Sequence, residues 1–287
     1  MRAVFRHELS SYLTGLIGYV FGGFLLLFAG LYMMNYNLQR AIANFEYVLG
    51  SMSFVYIMAI PVLTMRVLSE EKKQKTDQLL YSLPLSMTKV ILGKYLALLV
   101  ILLIPCLIIG TYPLFLRNYG SVPMPAAYSA LCAFILLGAS LTAMGMFSSS
   151  LTESLPMAAG GCFVFMLLNY YMVELAGYLP GTAVASLVAL MILAGLIALL
   201  VRFMTQSDLA ALMVAALLET GLVAVYLIKS TLFEGLFPSM LKEISVFERF
   251  NGFIYGVFDL SGVVYFLSVI GVFLFLSVQS MEKRRWS

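Results

Sequence analysis

Long stretches of this chain carry no charge at all, and that limits the fold more than any motif does. No Asp, Glu, Lys or Arg lies between Glu8 and Arg40, Glu46 and Arg66, Lys94 and Arg117, or Arg117 and Glu153. The same holds from Glu153 to Glu174, from Glu174 to Arg202 and from Asp259 to Glu282, and a further run near 209–228 is broken only by Glu219. In a bilayer about 20 apolar residues cross the hydrocarbon core as a helix, which satisfies its own backbone polar groups. Each run is long enough for one such helix, and none is twice that length. Composition agrees: 62% of the residues are hydrophobic and 11% charged, against about 45–50% apolar and about 25% charged in soluble domains. The expected fold is all-α, a polytopic membrane protein with about eight transmembrane helices. They are placed near 16–34, 48–67, 91–116, 126–149, 155–174, 183–202, 209–229 and 261–280.

Basic residues orient these spans. With the N-terminus cytoplasmic, twelve Lys and Arg fall on the cytoplasmic side: Arg2, Arg6, Arg66, Lys72, Lys73, Lys75, Lys89, Lys94, Arg202, Lys283, Arg284 and Arg285. Five fall on the other side, namely Arg40, Arg117, Lys229, Lys242 and Arg249. The excess predicts that both termini are cytoplasmic, as an even number of spans requires. The N-terminal stretch reads as retained, because Glu8 and Ser10-Ser11 interrupt the basic-to-apolar transition of a leader.

On this reading SEEKKQKTDQLLYSLPLS, residues 69–86, is the longest polar segment on the cytoplasmic side, with six charges from Glu70 to Asp77. Thr76 is placed to cap a short helix, with Asp77 favourable at its N-terminus. Leu79, Leu80 and Leu83 supply an apolar face, and Pro84 ends the turn. Two readings stay open for it: a short amphipathic helix that docks on a soluble partner, or a solvated loop whose basic residues enforce topology. The first fifteen residues pose the same choice. Val4, Phe5, Leu9 and Tyr12 share a helical face, with Arg2, Arg6 and Glu8 expected elsewhere, as in a helix lying in the membrane interface. The alternative is the frayed start of the first span.

Catalytic chemistry is not legible. No phosphate-binding G-x-x-x-x-G-K-[ST] stretch, H-E-x-x-H or G-x-S-x-G occurs, and His7 is the only histidine. Cys106, Cys132 and Cys162 lie far apart in apolar runs and read as packing residues, not as a metal or disulfide set. The net charge of +3 gives no nucleic-acid surface. Glu219 is the one charge placed near the middle of a span. Such a carboxylate either binds a proton, cation or polar group, or holds helices together through Thr220 or Ser186. Gly22-Gly23, Gly138, Gly145, Gly160-Gly161 and Gly195 read as close-packing positions. Residues 230–260 read as an external amphipathic segment broken in two by Pro238.

Four stretches resemble the ABC type-2 permeases, especially the branch similar to gliding-motility and copper-processing permeases. FRHELSSYLTGLIGYVF is similar to that family's interfacial elbow. RVLSEEKKQKTDQLLYSLPLSMTKVILGKYLA carries its most specific motif: an acidic pair, Thr, Leu-Leu, Ser-x-Pro, then Gly-Lys. SSLTES matches a short cytoplasmic turn, and ISVFERFNGFIYGVFDLSGVVYF with VQSMEKRRWS resembles the C-terminal signature. The departures are Lys75 where relatives often have Gly before the Thr, and Thr14-Gly15 where many have Ser-Pro. The usual plan has six spans, which makes the pair within 183–229 the surplus.

The resemblance implies one permease domain over 1–287, with an elbow helix at 1–15 and a coupling segment at 69–90. It implies the membrane subunit of an ATP-driven exporter in a bacterial plasma membrane, working by alternating access and without an ATPase site of its own. ATP and Mg would bind a partner chain. Implied partners are two cytoplasmic ATP-binding subunits, a second permease copy or relative, and membrane lipids, with an extracytoplasmic accessory protein as a further candidate and no nucleic acid. Carried over residue by residue, coupling falls to Glu70, Glu71, Thr76, Leu79, Leu80 and Pro84, and the elbow contribution to Phe5, Glu8 and Tyr12. Two other functions stay open: an ATP-coupled anchoring or assembly subunit acting on an extracytoplasmic protein, and a secondary transporter using Glu219.

Overall fold

The computed structural model describes residues 1–75, 86–205, 207–256 and 259–286, and among them the chain forms helices and no strands. In chain order these are α1 (Arg2–Thr14), α2 (Leu16–Met33, continued by a π-helical turn, Met34–Gln39), α3 (Glu46–Thr64), α4 (Arg66–Lys73) and α5 (Met87–Ile109). There follow α6 (Tyr112–Leu116), α7 (Met124–Leu151), α8 (Leu155–Tyr178), α9 (Ala183–Thr205) and α10 (Asp208–Ile228). A 3₁₀ turn (Ser230–Phe233), α11 (Leu236–Ile244), α12 (Val246–Ile254) and α13 (Leu260–Trp286) complete the chain.

The all-α, polytopic class holds. Apolar helices occupy all eight expected places. By length and composition six of them, among the described residues, suffice to cross a membrane: Leu16–Gln39, Glu46–Lys73, Met87–Leu116, Met124–Leu151, Leu155–Tyr178 and Leu260–Lys283. In the surplus pair, Ala183–Leu199 is a shorter apolar stretch, and Leu212–Ile228 qualifies only jointly with Ser230–Ile244, across a bend of 118°. Counting that bent pair as one span gives seven.

The chain divides into two compact units, one of residues 1–170 and 249–287, the other of 171–248. In the first, α7 lies at the centre and packs on α13, α3, α5 and α4. Its apolar stretch is 78% buried, against 17% for α2, so α2 faces outward and α7 inward. Close approach of α7 to α3 is set by two glycines. A Cβ on Gly138 would come within 2.9 Å of the Tyr56 ring, and one on Gly145 would overlap the Thr64 side chain. Between them Tyr56 stacks on Phe134 with centroids 4.3 Å apart, and its hydroxyl lies 3.5 Å from the Cys106 sulfur of α5. Cys106 and Cys162 are buried free thiols that pack as expected, whereas Cys132 is exposed and does not. By contrast Gly22, Gly23, Gly160 and Gly195 meet nothing within 4 Å. Small residues in lipid mark contact only where another backbone arrives, and at these four the expected close contact is not made among the described residues.

In the second unit α9 packs on α10, on the 3₁₀ turn and on α11. Gly235 takes a left-handed φ of 67° and donates its N–H to Gly181 O at 2.9 Å. Pro238 does not break the segment that follows. It stands in the first turn of α11, where no N–H is required of it, and the interruption comes at Ser245, whose hydroxyl accepts the Glu248 N–H.

Gly145→Ala should lower the thermal midpoint of the detergent-solubilised protein, by an overpacking cost of about 1–3 kcal/mol. Gly22→Ala, in mid-helix with open space around it, should hold or raise the midpoint.

Candidate functional site

Helix α1 lies against α5, and glycine makes the contact possible: a Cβ on Gly93 would sit 3.3 Å from Met1 O and 3.4 Å from the Val4 side chain. The next residue is Lys94, two turns inside α5 and only 2% exposed. An ammonium has three protons to donate, and here each has an acceptor. Lys94 Nζ is 2.5 Å from Glu8 Oε1 on α1, 2.7 Å from Glu71 Oε1 on α4, and 3.2 Å from Val67 O, also on α4. One buried cation thus joins three helices. Pairs of this kind are weak sources of net stability, yet removing one partner costs about 3–5 kcal/mol, because the remaining charge is stranded.

Glu8 is therefore not turned away from the face of Val4, Phe5, Leu9 and Tyr12, as expected, but belongs to it. It lies four residues from both Val4 and Tyr12, and helical neighbours at that spacing share a side. Tyr12 is 5% exposed and donates its hydroxyl to Leu63 O of α3 at 3.1 Å. Burial first, and next the Glu8 carboxylate, push its phenol well above the usual value, so it remains a donor at any physiological pH. Phe5 is half-buried on the same helix.

The α3–α4 junction is held by side chains. Ser149 of α7 receives the N–H groups of Leu68 and Ser69, both at 3.1 Å, and donates to Met65 O at 3.0 Å. A hydroxyl inserted among the backbone bonds is a recognised cause of helix interruption, and the turn falls at Met65, between α3 and α4. Ser69 donates its hydroxyl to Met65 O as well. One residue on, Lys72 donates to Ser150 O, which also accepts the Ser280 hydroxyl of α13 at 3.0 Å. Glu70 pairs with Arg66 one turn earlier at 2.6 Å, half-exposed on both sides.

The structure brings together Glu8, Tyr12 and Glu71, with Phe5 and Glu70 on the same helices. Thr76, Leu79, Leu80 and Pro84 lie outside the described residues. Lys75, the last residue before them, adopts a left-handed φ of 56°, a region that costs a lysine about 1–2 kcal/mol and glycine almost nothing. It ends α4 with N–H groups from Gln74 to Glu70 O and from Lys75 to Lys72 O. The other departure, Gly15, donates its N–H to Ser11 O at 3.0 Å, a bond proline cannot make. Glu219 lies half-buried on α10, in the second unit. Of the partners expected for it, Thr220 donates to Ala216 O and Ser186 accepts the Phe237 N–H.

Lys94, Lys72 and Ser149 entered the sequence reading only as cytoplasmic charges or inside the Gly-Lys motif, the charged stretch and SSLTES, and none was named as a site residue. Lys94 carried a further signal, since a charge two turns inside an apolar helix needs a counter-charge. For Ser149 only the α3–α7 contact shows what its hydroxyl does.

Ser149→Ala strands two buried N–H groups, at about 1–3 kcal/mol, and should speed amide hydrogen exchange across residues 64–73 without changing exchange in α2. Lys75→Gly should hold or raise the melting temperature, while Lys75→Val should lower it, both read by thermal unfolding in detergent.

Among curated proteins none matches the chain. Residues 3–188 match the family described as "ABC-2 family transporter protein". The match runs from α1 into α9 and takes in the whole of the Glu8–Lys94–Glu71 cluster, together with Ser149. It covers well over half of the chain, which thus belongs to the ABC-2 transporter family as a multi-pass membrane permease component.

Proposed function

We propose that the chain is the membrane half of an ATP-driven exporter, powered by separate ATP-binding subunits at the end of the bundle that carries α1 and α4. On this reading that end is cytoplasmic, as are both termini, and the membrane is a bacterial plasma membrane. Family membership supports a partnership with ATP-binding subunits. The single observation that carries the mechanical reading is the joint at Lys94, which links the elbow helix to the helix leading into residues 76–85. In an energy-receiving subunit the two cytoplasmic elements should be tied to a membrane helix, and here one ammonium ties them.

The working unit is two permease copies, or this chain and a relative, with two ATP-binding subunits. ATP and Mg bind those subunits. Thr76, Leu79, Leu80 and Pro84 form the docking element, with Glu70 and Glu71 at its base and Phe5, Glu8 and Tyr12 on the elbow. Closure of the ATP-binding subunits drives alternating access through the helices of the first unit. Glu219 has no part in energy coupling on this reading.

Affinity purification from membranes should retrieve an ATP-binding subunit with the wild-type chain. Replacing Leu79 and Leu80 together by Ser should reduce its recovery about tenfold, a loss of about 1.4 kcal/mol. ATP-dependent uptake into inverted vesicles should survive Glu219→Gln. Retrieval of no ATP-binding subunit, with transport by the purified chain alone, would overturn the proposal. ATP turnover without solute movement would instead favour an anchoring or assembly subunit.

A further inference from the structure

We infer that Lys94 is a positioning residue for energy coupling: its buried ammonium makes α1, α4 and α5 move as one body, so that load applied to either cytoplasmic element reaches the membrane helix α5. This rests on the ATP-coupled reading above and adds the residue through which the coupling runs.

The argument starts from proton count. Lys94 Nζ has three N–H groups, and the three acceptors around it come from two other helices: Glu8 Oε1 of α1, Glu71 Oε1 and Val67 O of α4. At 2% exposure water does not replace a lost acceptor, so any separation of α1 or α4 from α5 leaves a charge stranded. The sign of the cluster gives the second constraint. Two carboxylates stand within 2.7 Å of one nitrogen. Without that nitrogen they are like charges at close range, and they repel. The cation thus offsets that repulsion and holds α1 and α4 to one point on α5. The third constraint is the α3–α4 turn, where Ser149 of α7 takes the place of backbone acceptors for the Leu68 and Ser69 N–H groups, on the α3 side of Glu71. Load entering α4 therefore meets an interrupted backbone ladder toward α3 and an ionic tie toward α5.

Two measurements on the full chain test this, one of them independent of any partner. Spin labels at Arg6→Cys and Lys89→Cys, both exposed, report the α1–α5 separation in a Cys132→Ala background, since the other two cysteines are buried. The wild-type joint should give one narrow distance distribution. Lys94→Gln should broaden it at least about twofold, and Glu8→Gln, which leaves Glu71 to neutralise the lysine and so protects the fold, should do the same. Exchanging the charges, Glu8→Lys with Lys94→Glu, should narrow it again. An unchanged distribution in Lys94→Gln and Glu8→Gln would overturn the inference.

The second measurement uses the complex with its ATP-binding subunit. Lys94→Gln should keep the recovered amount of that subunit and the KM for ATP, while the permease-dependent part of kcat falls on the order of tenfold. A kcat that is unchanged, or that falls only in proportion to lost subunit, would make Lys94 a purely structural residue. If the wild-type chain retrieves no ATP-binding subunit, the proposed function falls, and the label distances alone decide whether the joint exists.

Discussion

A charged amine held out of water must be answered by acceptors wherever the chain can bring them, and the ammonium of Lys94 organises the N-terminal end of the first unit for that reason. Its carboxylate partners come from helices 86 and 23 residues away in sequence. Satisfying it ties α1 to both α5 and α4. Gly93 permits this by letting α1 approach α5 closely enough for Glu8 to reach. Tyr12 then fastens the same helix to α3. Without the ammonium, α1 keeps the Tyr12 hydroxyl bond to α3 and its packing on α5 and α2, and loses its charged tie to α4.

The centre of the unit obeys a different rule. Between α3 and α7 no ion is involved. Two glycines seven residues apart bring the helices together, and packing and stacked rings fill the space. Van der Waals contact of this kind replaces the hydrophobic effect, which has no purchase between helices surrounded by lipid tails. Ser149 continues the line of those glycines by one turn and meets the chain where α3 gives way to α4. The tight apolar contact and the polar junction are thus successive stations on one face of α7.

Much of this was legible in the sequence, for definite physical reasons. Runs without charge located the helices, because hydrocarbon tolerates ions poorly and a helix must be about 20 residues long to cross it. Gly138 and Gly145 were recognisable as contact positions, while Gly22, Gly23, Gly160 and Gly195 look identical in sequence and meet open space. A glycine shows that an approach is permitted and not that a neighbour arrives. Glu8 was assigned to the elbow but to the wrong face of it, although its spacing from Val4 and Tyr12 gives the right one. Pro238 was taken for a breaker when it stands in a first turn, where proline is tolerated. Lys94 was read as a cytoplasmic charge and as the lysine of the Gly-Lys motif, with no partner assigned to it. Its partners come from 23 and 86 residues away, and no local pattern encodes that distance.

Lys75 bears on how residues 76–85 are joined to the bundle. Glycine at a left-handed position has a wide conformational basin and turns there almost freely. A lysine has a small left-handed well, separated by steric walls from the α and β regions. With lysine the setting at the end of α4 is held in a narrow well, and leaving it means crossing a steric wall that glycine would not meet.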